Sequence, residues 1–187
     1  MYEDNYKNPV STASKELERF LQLIADEALD LYAMGGTAMV LKGIKESTRD
    51  IDFLSDADYS TIKKIFKSAG LDEKSSSQLC NIWMLGKVRI DVFYHSYILG
   101  TELPPNWKEK SELIRTMGKL RLFILNWEDI IITKIARSEP RDIEDCRDIV
   151  KKLDIDVAAL EKRFYSIAEV SLIADFDYKF KHFKRNL

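Results

Sequence analysis

Leu31-Tyr32-Ala33-Met34-Gly35-Gly36-Thr37-Ala38 and, fourteen positions after Gly36, Asp50-Ile51-Asp52-Phe53 form the stretch whose reading decides the fold. Residues 31–34 read as a short buried strand that stops at the double glycine. Residues 37–42 read as a helix that restarts at once, with Gly43 to end it. A polar stretch, residues 45–48, leads into a second strand at about 49–54. Side chains alternate along a strand, so Asp50 and Asp52 share one face while Ile51 and Phe53 take the other. Two carboxylates side by side on a half-buried strand repel each other and are costly to desolvate, which a cation between them relieves. Magnesium suits that place, since it prefers oxygen ligands and commonly combines a few carboxylates with substrate phosphates. Between the strands, two glycines let backbone N–H groups approach a phosphate closely. The helix start adds partial positive charge, and Thr37 has a hydroxyl to donate. The spacing matches neither a dinucleotide fingerprint nor a P-loop.

A third carboxylate lies further on. Residues 81–85 and 88–94 read as strands joined by Gly86-Lys87, a two-residue connection that signals a hairpin. In Val88-Arg89-Ile90-Asp91-Val92 the apolar residues form a core face and turn Asp91 to the opposite one. If this strand neighbours the first acidic one, three carboxylates can hold two metals ~3.5–4 Å apart, the spacing that steadies attacking and leaving oxygens in phosphoryl transfer.

Outward from this centre, residues 14–29 read as an amphipathic helix capped by Ser14, with Leu17, Phe20, Leu21, Ile24 and Ala25 on its apolar face. A further helix is expected to start at 55–57, to bury Ile62, Ile65 and Phe66, and to stop at Gly70. Residues 74–78 read as a polar loop. Leu103-Pro104-Pro105 breaks regular structure, and residues 120–125 suit a short strand. From Trp127 onward the pattern is helical: Asn126 caps one helix with Asp129 in the capping-box position, Pro140 opens a second, and a third covers about 155–165. The expected architecture is α/β (α+β), a mixed sheet flanked by helices. It comprises an α/β core over 1–125 and a helical part over 126–187 packed on it.

The chain has 187 residues, 45% of them hydrophobic, which rules out wholesale disorder. Its 29 basic and 31 acidic residues give a net charge of -2, so any polyanion site must be local rather than spread over the surface. Cys80 and Cys146 are too few and too scattered for a disulfide framework or a zinc site, and read as ordinary thiols. Met1-Tyr2-Glu3-Asp4-Asn5 lacks the layout of a signal peptide, and no apolar run reaches the ~18 residues of a membrane span. A cytoplasmic location without membrane contact is the expectation. His95 and His182 have no second ligand at metal spacing.

The combination of Met34-Gly35-Gly36-Thr37-Ala38, Asp50-Ile51-Asp52 and Asp91 resembles the signature of the polymerase-beta-like nucleotidyltransferase superfamily. Lys134-Ile-Ala-Arg137 with Arg141-Asp142-Ile-Glu-Asp145 resembles the C-terminal helices of its small prokaryotic branch, which includes AbiEii-like toxin nucleotidyltransferases. The resemblance spans about residues 30–150. It implies metal-dependent transfer of a nucleoside monophosphate from a nucleoside triphosphate to an acceptor, with pyrophosphate leaving. Asp50 and Asp52 would bind both metals, magnesium or alternatively manganese. Asp91 would bind the catalytic one and help activate the acceptor hydroxyl. Gly35, Gly36 and Thr37 would hold the triphosphate, with Lys134 contacting it from the helical part. The acceptor is open among RNA, protein and a small molecule, and a toxin-like enzyme would have a cognate antitoxin.

Blander readings stand beside these. Lys134, Arg137 and Arg141 recur at i, i+3 and i+7, on one face if the helix continues that far. Lys134 and Arg137 are candidate phosphate contacts, or members of a solvated face paired with Asp142 and Asp145. The tail 176–185 interleaves aromatics with cations, which suits either RNA stacking or a docked amphipathic segment. A catalytically silent module that binds nucleotide or a partner on the same fold is the rival function.

Overall fold

The computed structural model describes residues 9–77 and 79–187, with side chains from residue 15. The N-terminal stretch Met1 to Asn5 and Gln78 lie outside the described residues. In chain order the elements are α1 (Pro9–Leu23), β1 (Asp30–Ala33), α2 (Gly35–Leu41), β2 (Asp50–Ser55), α3 (Tyr59–Ser68), β3 (Asp72–Ser76), β4 (Cys80–Leu85) and β5 (Val88–Tyr94). Then follow β6 (Tyr97–Ile98), β7 (Thr101–Glu102), α4 (Trp107–Lys110), β8 (Glu112–Met117), β9 (Leu120–Ile124), α5 (Trp127–Arg137), α6 (Pro140–Leu153), α7 (Val157–Ala168) and α8 (Phe176–Arg185). This is an α+β protein built on a mixed sheet, as the sequence pattern predicts. The chain divides into two compact units. One holds the described residues up to His95 together with Glu112–Ile124; the other holds Ser96–Ser111 and Leu125–Leu187.

In the first unit seven strands form one sheet in the order β3-β4-β5-β2-β1-β9-β8. The pairs β5/β2 and β1/β9 are parallel and the others antiparallel. One face is apolar: Ile51, Phe53, Trp83, Ile90 and Val92 are buried there. Phe20 of α1 meets Phe53 at 5.8 Å between ring centroids and Phe66 of α3 at 5.2 Å, and Phe66 meets Trp83 at 5.3 Å. These rings seat both helices on the sheet, and the opposite face is left to carry the acidic residues.

Several boundaries differ from the sequence expectation for identifiable reasons. Helix α1 is already formed at Pro9, so Ser14 lies inside it rather than at its cap. It ends at Leu23 instead of 29 because Ala25 is drawn elsewhere: its carbonyl accepts from the amides of Lys119 and Leu120, at 2.8 and 3.2 Å. The cap of α3 is Asp58, whose side chain accepts the Thr61 N–H at 2.8 Å, just beyond the expected start at 55–57. Residues 72–76 form an edge strand, not a loop, and β8 pairs with β9 where no strand was expected. Both of these edge strands show a register shift, between Glu73 and Ser75 and between Leu113 and Arg115. The hairpin at Gly86 is as read: Leu85 pairs with Val88, and Gly86 takes the positive φ of 62° that its turn requires.

The second unit is mostly helical. Arg163 of α7 forks onto Asp129 of α5 at 2.7 and 2.8 Å. Asp129 is therefore held by an arginine rather than serving a capping box; the Asn126 amide donates to it at 3.3 Å. Helix α6 opens with Pro140 and a reciprocal cap between Glu139 and Asp142. Phe180 and Phe183 of α8 are fully buried, with Phe180 4.9 Å from the ring of Phe164. Two aromatics of the tail, Phe180 and Phe183, are thus docked in the fold, while Tyr178 is 66% exposed.

Candidate active site

Strand β2 runs parallel to β5, and the register sets Asp50 opposite Arg89 and Asp52 opposite Asp91. Paired strands lie ~4.8 Å apart. Alternation therefore gathers Asp50, Asp52, Asp91 and Arg89 on one face of the sheet. Asp50 and Asp52 are half-buried and Asp91 is 7% exposed.

The glycine turn lies against this cluster. Gly35 has a φ of +54°, and a Cβ placed on it would stand 3.1 Å from Asp52 Oδ2. Its missing side chain therefore brings the strand-to-helix turn directly onto that carboxylate. Gly36 faces Thr48, where a Cβ would come within 2.4 Å of Oγ1. Thr37 does not face outward. It is fully buried, its hydroxyl accepts the Asp52 N–H at 2.9 Å, and it donates to the Asp50 carbonyl at 3.4 Å. Thr48 donates to the same carbonyl at 3.1 Å. Two threonine hydroxyls thus clamp the backbone of the acidic strand, and the Met34 amide adds a bond to the Asp52 carbonyl at 3.1 Å.

Asp91 is closed on Arg89. The guanidinium donates from Nε to Oδ1 at 2.7 Å and from Nη2 to Oδ2 at 2.6 Å. That hydrogen bonding, and the charges of Asp91, Asp50 and Asp52, hold Arg89 well above the ordinary arginine range against the opposing effect of burial. Among the described residues no three His, Cys, Asp or Glu side chains are placed together as a ready-made metal cage. The donor chemistry nevertheless fits a hard divalent cation: carboxylate oxygens from two adjacent strands, beside a turn whose Cβ position is left open. Cys80, on β4, is a poor candidate for chemistry. Burial, and then the charge of Asp91, push its thiol up to about 12, so it stays protonated.

Lys134 and Arg137 belong to the second unit. Lys134 is 6% exposed, with its ammonium 2.7 Å from Asp145 and 3.4 Å from Asp142. Arg137 forks onto Asp142 at 2.7 and 2.6 Å. Arg141 does not share their helix: α5 ends at Arg137 and Ser138 takes a left-handed φ of 60°. Arg89 and Thr48 join the site without having been among its expected residues. Arg89 was within reach, since two residues before Asp91 on a strand means the same face. Thr48 left no such signal.

No curated protein matches the sequence. Solved structures do match in shape. ANT(2'')-Ia, solved in complex with adenylyl-2''-tobramycin, gives a TM-score of 0.63 at 16% identity over 83% of this chain and 96% of that one. JHP933 from Helicobacter pylori gives 0.56 at 15% identity over 95% and 89%. The Megavirus polyadenylate synthase gives 0.50 at 13% identity over 81% of this chain and 34% of that one. The fold is that of a nucleotidyltransferase. Residues 13–187 match the family described as "Nucleotidyltransferase of unknown function (DUF6036)", and the chain belongs to that family.

Proposed function

We propose that this nucleotidyltransferase moves a nucleoside monophosphate from a nucleoside triphosphate to an acceptor hydroxyl, using Asp50, Asp52 and Asp91 as ligands for magnesium. The observation that carries this reading is the parallel β2/β5 register, which sets Asp52 beside Asp91 with Asp50 on the same face. When bound, the divalent metal supplies charge neutralisation at the phosphates and lowers the pKa of the attacking hydroxyl. Asp50 and Asp52, on one clamped strand, would hold the metal. Asp91 would orient the acceptor hydroxyl and draw off its proton as that oxygen bonds to the α-phosphorus and the bond to the departing pyrophosphate breaks. The Gly35-Gly36 turn offers its backbone to the triphosphate. Thr37 serves by holding the Asp50–Asp52 backbone rather than by touching phosphate.

The acceptor is RNA, a protein side chain or a small molecule. The fold neighbours include an enzyme solved with an adenylylated aminoglycoside and a polyadenylate synthase. The resemblance to toxin nucleotidyltransferases favours RNA or protein, with a cognate antitoxin as the partner. The test incubates the protein with each labelled nucleoside triphosphate, magnesium and total RNA or lysate. The Asp50→Ala/Asp52→Ala variant should lose at least about 100-fold in label transfer while keeping its circular dichroism spectrum. Transfer that persists in the variant, or nucleotide binding without transfer in the wild type, would reject the reading.

A further inference from the structure

We propose that Arg89 is the resident counter-ion of the acidic site, competing with the divalent cation for Asp91 and released from it when metal binds. This rests on the metal-binding role of the aspartates proposed above. Three carboxylates on two neighbouring strands of one sheet face need a positive charge beside them, and the guanidinium supplies one from within the same strand. Its fork occupies both oxygens of Asp91, at 2.7 and 2.6 Å, and its register partner is Asp50. The oxygens that would ligate a cation are therefore the ones that accept from Arg89. A metal drawn to the same carboxylate meets the positive guanidinium already on both oxygens, so the two cations compete for Asp91.

The two partners are unequal in freedom. The Asp91 side chain is 9% exposed and the Arg89 side chain 44% exposed. Both stand on β5, but the short Asp91 side chain is nearly enclosed whereas the long Arg89 side chain reaches solvent, so Arg89 is the partner able to move. A freed guanidinium on this face needs a new anion, and a planar fork of N–H donors suits phosphate oxygens. Metal without nucleotide leaves Arg89 only carboxylates that the cation also claims, Asp50 and Asp52, whereas metal with a triphosphate adds phosphate oxygens. Arg89 thus makes occupation by metal depend on arrival of the nucleotide. It is a positioning residue, acting on the cation through Asp91.

The test reads metal affinity rather than turnover. Manganese alone is titrated into full-length wild type, Arg89→Met and Arg89→Lys, with free Mn²⁺ followed by electron paramagnetic resonance. Removing a half-exposed, charge-assisted fork should tighten Mn²⁺ binding by about tenfold in Arg89→Met. Arg89→Lys should fall between, because an ammonium is a point charge and cannot fork. Without metal, Arg89→Met should melt below the wild type, and Mn²⁺ should raise its melting temperature by more. Adding Asp91→Asn to Arg89→Met should abolish the gain in affinity. Equal or weaker Mn²⁺ binding in folded Arg89→Met overturns the role of Arg89 and leaves the transferase reading standing. Absence of Mn²⁺ binding in every variant overturns the metal-binding reading along with it.

Discussion

Gly36 is dictated by Thr48. An ideal Cβ at 36 would stand 2.4 Å from Thr48 Oγ1 and 3.1 Å from its Cβ. Thr48 can retreat only by giving up its bond to the Asp50 carbonyl. Gly36→Ala should therefore cost about 1–3 kcal/mol, the usual range for overpacking, read as a lowered midpoint in chemical denaturation. Adding Thr48→Ala removes the clashing oxygen and should recover part of that loss; no recovery would place the clash elsewhere. At this scale the sequence was legible wherever a rule is local. Alternation alone assigns Asp50 and Asp52 to one face and turns Asp91 away from its apolar neighbours, and the same rule applied to Arg89 would have exposed its fork. The burial of Thr37 was not legible, because the amide its hydroxyl accepts from belongs to Asp52, fifteen positions away in another element.

Among elements, the strands that escaped the sequence reading have a physical excuse. In β3 the side chains of Asp72, Lys74, Ser75 and Ser76 are exposed, so no apolar period marks it and only backbone pairing to β4 makes it a strand. In β8 the register shift between Leu113 and Arg115 breaks the period of two by one residue, which hides the alternation. As expected, a new helix opens at Pro140, so Arg141 does not share α5 with Lys134 and Arg137: α5 ends at Arg137, and Glu139, preceding Pro140, takes an extended ψ of 153°. The corner this makes joins α5 to α6 through Asp142. Burial pushes Asp142 up, but the hydrogen bonds from Arg137 and the charges of Lys134 and Arg137 outweigh it, leaving the carboxyl below its ordinary 3.8. A depressed native value means that the unfolded chain takes up the proton first on acidification. The contribution of Asp142 is therefore complete above the ordinary value and is lost as pH falls through the native one. Urea midpoints should lose this contribution only below about pH 4. Asp142→Asn should be less stable at neutral pH and show a shallower acid loss; an unchanged acid slope in the variant would assign the loss to other groups.

Over the whole molecule, each compact unit has its own apolar filling, and the second depends on its last helix. Phe180 is fully buried between Phe164 and Phe183, at ring distances of 4.9 and 5.5 Å. Lys179 also donates to the Ala136 carbonyl near the end of α5, at 2.6 Å. Phe180→Ala should cost about 3–5 kcal/mol, seen by denaturation and by faster amide exchange in α5, α7 and α8. Exchange confined to α8 alone would show that the helix is an appendage. No helix among the described residues is long and apolar enough to cross a membrane.

The sheet itself ends in two guarded margins. At β3 and at β8 the regular ladder is interrupted by a register shift, and Asp72, Glu73, Lys74, Glu112 and Arg115 lie along the two rims. An incoming strand would find neither an uninterrupted row of aligned N–H and C=O groups nor an uncharged surface to lie against. Growth of the sheet by recruitment of another chain, the usual route from an open β edge to fibrils, is thus discouraged at both rims. The seven strands can carry the acidic cluster of β2 and β5 on one face without inviting assembly along their edges.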